Sequence, residues 1–171
     1  KLIAVNPTDG KTLWTFDGWG CSIAIASPVH VGDGKVFMTG GYGAGSVMIQ
    51  AARDADGNWS TEELWRLDRK EAGSQICDPL VWEGRLYIDN NENGKNNGMV
   101  CVDFDGNIKW TSNEPNCNRG GQIIADGMMY KLDGRNGTLY LVKPTPEKFD
   151  VVSQATDLLN PGELWAPLAI S

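Results

Sequence analysis

The sequence has a single histidine and no apolar run approaching the roughly 20 residues that a membrane-spanning helix needs. Positive charge is scarce as well: 15 Lys and Arg stand against 22 Asp and Glu, for a formal net charge of −7. A surface of that sign repels phosphate backbones, so nucleic acid is not an expected partner. Cys21, Cys77, Cys101 and Cys117 show neither a CxxC pair nor the Cys/His spacing of a zinc site. Several disulfide pairings remain open to them, and spacing does not choose among these. Helical periodicity is missing throughout, since no segment sustains apolar residues at a 3.6-residue repeat. The first residues, KLIAVNPTDG, lack the basic region, apolar stretch and cleavage site of a signal peptide. Any export signal is therefore expected upstream or already removed.

Glycine and tryptophan are plentiful instead, at 21 and 7 of 171 residues. Many tight turns together with many large flat side chains favour an all-β chain. Internal repeats organise it. One element is a turn followed by tryptophan: DGKTLW (Asp9 to Trp14), DGNWSTEELW (Asp56 to Trp65) and DGNIKW (Asp105 to Trp110), with tryptophans 51 and 45 residues apart. The second is a short apolar strand, a glycine turn and another apolar strand. It reads SPVHVGDGKVFMTG from Ser27, DPLVWEGRLYIDN from Asp78 and GQIIADGMMYKLDG from Gly121, with turn glycines Gly34, Gly84 and Gly127 spaced 50 and 43 apart.

Each period holds four short strands. They are predicted near 27–31, 35–40, 45–52 and 61–66, then 78–82, 85–89, 98–104 and 107–111, then 121–125, 128–132, 137–142 and 149–155. Asp-Gly between alternating apolar residues is the strongest local hairpin signal, because glycine supplies the positive φ that the turn requires. Four strands in a period of this length make one propeller blade. The expected fold is all-β, a β-propeller with four-stranded antiparallel blades forming an incomplete ring. The organisation expected is one partial domain over 1–171: residues 1–16 end a blade, 21–66, 77–111 and 120–155 are blades, and 163–171 are the first strand of the next. A blade without its inner strands leaves ladder groups unpaired. The chain therefore reads as a fragment of a longer propeller, and the remaining blades of the same protein are expected partners.

The segment AVNPTDGKTLW, Ala4 to Trp14, resembles the repeat signature A-x-D-x-x-T-G-K-x-x-W of pyrroloquinoline-quinone (PQQ) propellers. Asn6 stands where the family usually has Asp, and Asp9 where it usually has Thr. The copy ending at Trp110 keeps Asp103 and Gly106 but is one residue short. The copy ending at Trp65 keeps Ala51 and Gly57 with four extra residues, and LVKPTPEKF has lost both Gly and Trp. The resemblance implies structural roles for Trp14, Trp65 and Trp110, which pack between blades, and for Gly10, Gly57 and Gly106, which permit the turn. Cys101 takes the small Ala position of the motif, as a buried and inert thiol.

The resembled family includes PQQ-dependent alcohol and glucose dehydrogenases, and also non-catalytic propellers that assist barrel assembly in bacterial outer membranes. A dehydrogenase would carry adjacent cysteines, an Asp base and a calcium site; no Cys-Cys pair occurs here. The resemblance thus implies a periplasmic or extracellular binding or scaffold module with no cofactor, the alternative being a quinoprotein dehydrogenase using PQQ with calcium. Asp89, Asn91, Asn93 and Gly94 match the first half of an EF-hand loop, but Val100 stands where the closing Glu belongs. A polar loop between two strands is the expected state of that stretch, with a metal site on Asp89, Asn91 and Asn93 as the alternative. Asp54 to Asn58 is read as a hairpin turn. His30 falls in an inner strand, where packing or hydrogen bonding is expected rather than catalysis. In propellers the loops entering the innermost strands converge on the axis. Here they carry Trp19 and Cys21, then Gln75, Cys77 and Asp78, then Arg119 and Gln122, then Glu163 and Trp165. Trp19, Asp78, Arg119, Gln122, Glu163 and Trp165 are the candidate ligand-binding residues, suited to a small polar or carbohydrate ligand or a protein partner.

Overall fold

The computed structural model of the chain describes residues 1–92 and 95–170. These residues contain no helix; they form fourteen strands. Strands β1 (Leu2–Val5) and β2 (Thr12–Phe16) make a two-stranded hairpin. Three four-stranded antiparallel sheets follow, each in chain order. The first sheet holds β3 (Val29–Gly32), β4 (Lys35–Gly40), β5 (Gly45–Arg53) and β6 (Trp59–Leu67). The second holds β7 (Leu80–Trp82), β8 (Arg85–Glu92), β9 (Lys95–Asp103) and β10 (Ile108–Thr111). The third holds β11 (Arg119–Ala125), β12 (Met128–Asp133), β13 (Leu139–Lys143) and β14 (Asp150–Ala155). Every one of the twelve strands expected in the three full periods is present.

The turns explain why the hairpins close where they do. Asp33-Gly34, Glu83-Gly84 and Asp126-Gly127 join the first two strands of the three sheets, and both residues of each pair have positive φ (49° and 74°, 47° and 75°, 49° and 70°). That is the backbone of a two-residue hairpin whose twist matches that of its strands. The repeat's Asp position organises the other turn through its side chain. Asp54 Oδ1 accepts from the Asn58 amide at 2.7 Å, Asp103 Oδ1 from the Asn107 amide at 2.8 Å, and Asn6 Oδ1 from the Thr8 amide at 2.9 Å. An amide oxygen thus does at Asn6 what a carboxylate does in the other copies.

Strand register decides which side chains meet between sheets, because successive residues point to opposite faces. Phe37 pairs with Met48 across β4 and β5, and both join Leu86, Ile88, Val100 and Val102 of the second sheet in one buried cluster. The alternate residues Met38, Val47 and Ile49 face the other way and pack with Leu2, Trp14 and Phe16 of the β1–β2 hairpin. Tyr87, Met99, Cys101 and Trp110 of the second sheet meet Met129, Tyr140 and Val142 of the third.

The repeat tryptophans sit at these junctions. Trp65 donates from Nε1 to the Phe104 carbonyl at 2.9 Å, in the turn before β10, and Trp110 donates to the Thr145 carbonyl at 2.8 Å, in the turn before β14. Gly106 (φ +89°) lies so close under Trp65 that an added Cβ would come within 2.8 Å of the indole. The glycine therefore serves the packing of the preceding sheet's tryptophan as well as its own turn. Trp110 is buried, whereas Trp14 and Trp65 are only half-buried.

Three expectations are corrected. Asp89–Glu92 is not a loop: β8 runs through it, and Asp89, Asn90, Asn91 and Glu92 are all buried. Polar side chains are tolerated there because they pair with one another and with the neighbouring sheet. Residues 163–170 form no strand, since a ladder needs a hydrogen-bonding partner and this stretch lies instead against Gly121, with the Ala166 carbonyl close to it. His30 is exposed rather than packed, because Val29 takes the inward position on β3 and His30 the outward one.

Candidate rim cleft

The loops that lead into the innermost strands of the three sheets are tied together by Asp78. Its Oδ1 accepts from the Ser27 amide at 2.6 Å, just ahead of β3, while its carbonyl accepts from Gln122 Nε2 at 2.8 Å, on β11. The same Nε2 reaches the Tyr87 carbonyl at 3.2 Å. Residues before β3, before β7 and on β11 are thus joined through one side chain and one amide. Gln122 Oε1 is buried without a protein partner.

Beside these residues opens a cleft of about 420 Å³, within the usual size for a small-molecule site, walled by Ile25, Ile76, Leu80 and Pro167 and carrying Asp78, Gln122 and Trp165. Arg119 contacts Trp165 as well: its guanidinium carbon lies 5.4 Å from the centre of the indole ring, a cation–π geometry. The guanidinium is further oriented by Gln75 Oε1 (3.2 Å) and Asn118 Oδ1 (3.1 Å), and Glu163 stands 3.8 Å away. Five of the six candidates therefore gather in one region. Trp19 does not join them: it packs against the first sheet with the β1–β2 hairpin and donates to the Ala44 carbonyl at 3.1 Å.

Beneath the rim lies a polar group with no forerunner in the sequence reading. Lys131 is fully buried, and its Nζ lies 2.7 Å from Asp89 Oδ2 and 2.7 Å from the Gly120 carbonyl. Asp89 projects from β8 on the face that meets the third sheet, so the ion pair bridges two blades. Burial is the strongest single influence and works against the charge on Lys131, but the Asp89 carboxylate together with the neighbouring Cys77 and Cys117 raises the lysine pKa. Asn91 Nδ2 donates to Asp89 Oδ1 and to the Cys117 carbonyl. A calcium ion held by Asp89 and Asn91 would have to displace this lysine. The residues do not suit that ion, and among the described residues no other cluster of acidic, His and Cys side chains gathers to replace them. Asn93 lies outside the described residues.

The four cysteines are unpaired. Cys77 donates from Sγ to the Gly120 carbonyl at 2.7 Å. Burial pushes the Cys117 thiol up to about 12 and the Cys101 thiol up to about 11, so neither forms a nucleophilic thiolate at neutral pH. Arg135, in the turn before β13, was not among the candidates, and it faces the same opening as Arg119 and Glu163. A solvated turn residue carries no pattern by which a sequence would single it out.

Trp65 and Trp110 thus dock in the same way onto turns of the sheet that follows each. Residues 1–130 match the family model described as outer membrane protein assembly factor BamB. The chain belongs to this family of PQQ-like repeat proteins. Its three sheets are blades of a PQQ-like β-propeller module. No curated protein matches the chain.

Proposed function

We propose that the protein is a binding or scaffold module, exported to the periplasm or beyond, that recognises a polar ligand or a partner's loop at the rim cleft. The observation that carries this reading is the cleft in which the Asp78 and Gln122 side chains and the Trp165 indole converge between apolar walls. Apolar walls with a few fixed polar groups are what orientation-specific binding requires. The Asp78–Ser27 and Asp78–Gln122 hydrogen bonds hold the rim in place before a ligand arrives, which limits the ordering cost of binding. Export is supported by the family description, which concerns outer membrane protein assembly.

The test is fluorine NMR on protein labelled with 5-fluorotryptophan, titrated with a panel of oligosaccharides and short peptides. The Trp165 signal is assigned by Trp165→Phe. A binder should shift that signal and leave Trp14, Trp65 and Trp110 unmoved, and Gln122→Ala should weaken the effect. A panel that moves only the inter-blade tryptophans, or none, would contradict the rim assignment.

A further inference from the structure

Next to Trp165, a second opening of about 450 Å³ is bordered by Asn118, Arg119, Arg135, Gly162 and Glu163. Resting on the rim-binding reading, the geometry points to this opening as a subsite for a carboxylate, supplied by an acidic segment of a peptide or protein partner. Four observations converge on it.

Arg119 is held but incompletely neutralised. Neutral oxygens of Gln75 and Asn118 fix two sides of the guanidinium and Trp165 flanks a third, while Glu163 remains at 3.8 Å, beyond hydrogen-bonding distance. The Arg119 side chain is 17% exposed and that of Glu163 is 65% exposed, so the arginine is set in the wall and the glutamate is free to leave. A planar guanidinium with fixed orientation suits two-point recognition of a carboxylate.

The backbone at this spot is strained in a way that aims the side chain. Cys117 and Arg119 both have left-handed φ (45° and 47°), which residues with a Cβ rarely adopt. Such strain persists where the surroundings enforce it, and it clusters at binding sites. Here the Gly134 amide donates to the Asn118 carbonyl at 2.7 Å and clamps the bend.

Arg135 adds a second cation from a different element. It is exposed, and among the described residues no carboxylate pairs with it. The Gly162 amide donates to its carbonyl at 3.0 Å and the Leu164 amide to the Gly134 carbonyl at 2.8 Å. The segment carrying Glu163 is therefore stitched to the turn carrying Arg135, and the opening between them has a defined shape.

Charge sets the class of occupant. The chain carries a net charge of −7, yet this opening has two arginines against one glutamate. Glu163 already presents to Arg119 the group the subsite would take, and acts as an internal stand-in that an incoming Asp or Glu displaces. The volume exceeds what one carboxylate fills, which fits an extended acidic segment that also reaches Trp165.

Fluorescence anisotropy with a fluorescein-labelled hexaglutamate peptide, in low and physiological salt, tests the assignment. Wild type should bind it, and the hexaglutamine counterpart should not. Arg135→Gln should weaken binding at least tenfold. Glu163→Gln should tighten it several-fold by removing the competitor, a gain that a merely structural role for Glu163 would not produce. Lys11→Gln makes the same charge change on the β1–β2 turn and should leave affinity within twofold. Absence of hexaglutamate binding, equal binding of hexaglutamine, or equal losses in Arg135→Gln and Lys11→Gln would overturn the proposal. Glutarate competing as well as the peptide, mole for mole, would overturn the peptide source in favour of a free dicarboxylate. If hexaglutamate fails while neutral ligands still shift the Trp165 fluorine signal, the carboxylate subsite falls and the rim cleft stands.

Discussion

Removing the carboxylate of Asp89 should do more damage than its two hydrogen bonds, from Lys131 and Asn91, suggest. Asp89 and Lys131 are 1% and 0% exposed, and their charged atoms lie 2.7 Å apart between the second and third blades. At an effective dielectric of about 20, two unit charges at that distance attract by roughly 6 kcal/mol. Desolvation consumes several kcal/mol per ion, so the pair as a whole contributes little net stability. Breaking it is another matter: Asp89→Asn leaves an ammonium sealed in the inter-blade core, at a cost of about 3–5 kcal/mol. For a domain of this size that corresponds to a fall in Tm on the order of 6–20 °C. Lys131→Met alone should cost a similar amount by stranding the carboxylate, whereas Asp89→Asn with Lys131→Met should cost much less than the sum. Thermal and urea unfolding of the four proteins closes the cycle. The sign of the pH response gives an independent check. In wild type the folded pKa of Lys131 lies above the ordinary 10.5, so its contribution is complete below that pH and is lost as pH rises through the folded value. In Asp89→Asn the unpaired lysine favours its neutral form, and the deficit relative to wild type should shrink as pH rises. Additive single-mutant losses, or a loss below about 1 kcal/mol for Asp89→Asn, would refute the picture of a tightly coupled buried pair.

The inter-blade tryptophans and turns yield further expectations. Trp110→Ala should cost roughly 3–5 kcal/mol, since it empties the cluster of Tyr87, Met129 and Phe149 and orphans the Thr145 carbonyl; equal melting temperatures would count against it. Gly106→Ala should destabilise more than Gly10→Ala. Both need positive φ, but only the former drives a Cβ into an indole, and urea midpoints of the two variants compare them directly. Burial opposes ionisation of Asp103, yet hydrogen bonds from Lys109 and Asn107 hold its pKa at about 2. Its contribution is therefore present above the ordinary 3.8 and is lost as pH falls from there through about 2. Asp103→Asn should flatten that part of the acid-unfolding curve.

The strands were legible because their signals are local. Gly34, Gly84 and Gly127 mark turns whose φ only glycine adopts readily, and the tryptophans recur at blade spacing. The stretch from Asp89 to Glu92 was misread because Asp and Asn in series resemble a loop. What makes them a buried strand is Lys131, 42 residues away on another sheet, and no local pattern reports such a partner. At the rim, loop position sufficed to bring together Asp78, Gln122 and Trp165, and Arg119 with Glu163. Trp19 carried the same signal, but the β1–β2 hairpin captures it. Arg135 was invisible for the opposite reason, being a polar turn residue whose meaning lies wholly in what the 161–165 segment brings up to it.

Hydrogen exchange on wild type and Trp65→Ala tests most directly whether tryptophan docking turns these sheets into one propeller unit with a shared rim. If Trp65 joins the first blade to the second through Phe104 and Gly106, its loss should speed exchange in β4–β6 and in β8–β10 together, and at the Ser27 amide held by Asp78, while β12 and β13 keep their protection. Acceleration confined to β6, with the second blade and the Ser27 amide unchanged, would show that the sheets hold their places independently of the repeat tryptophan.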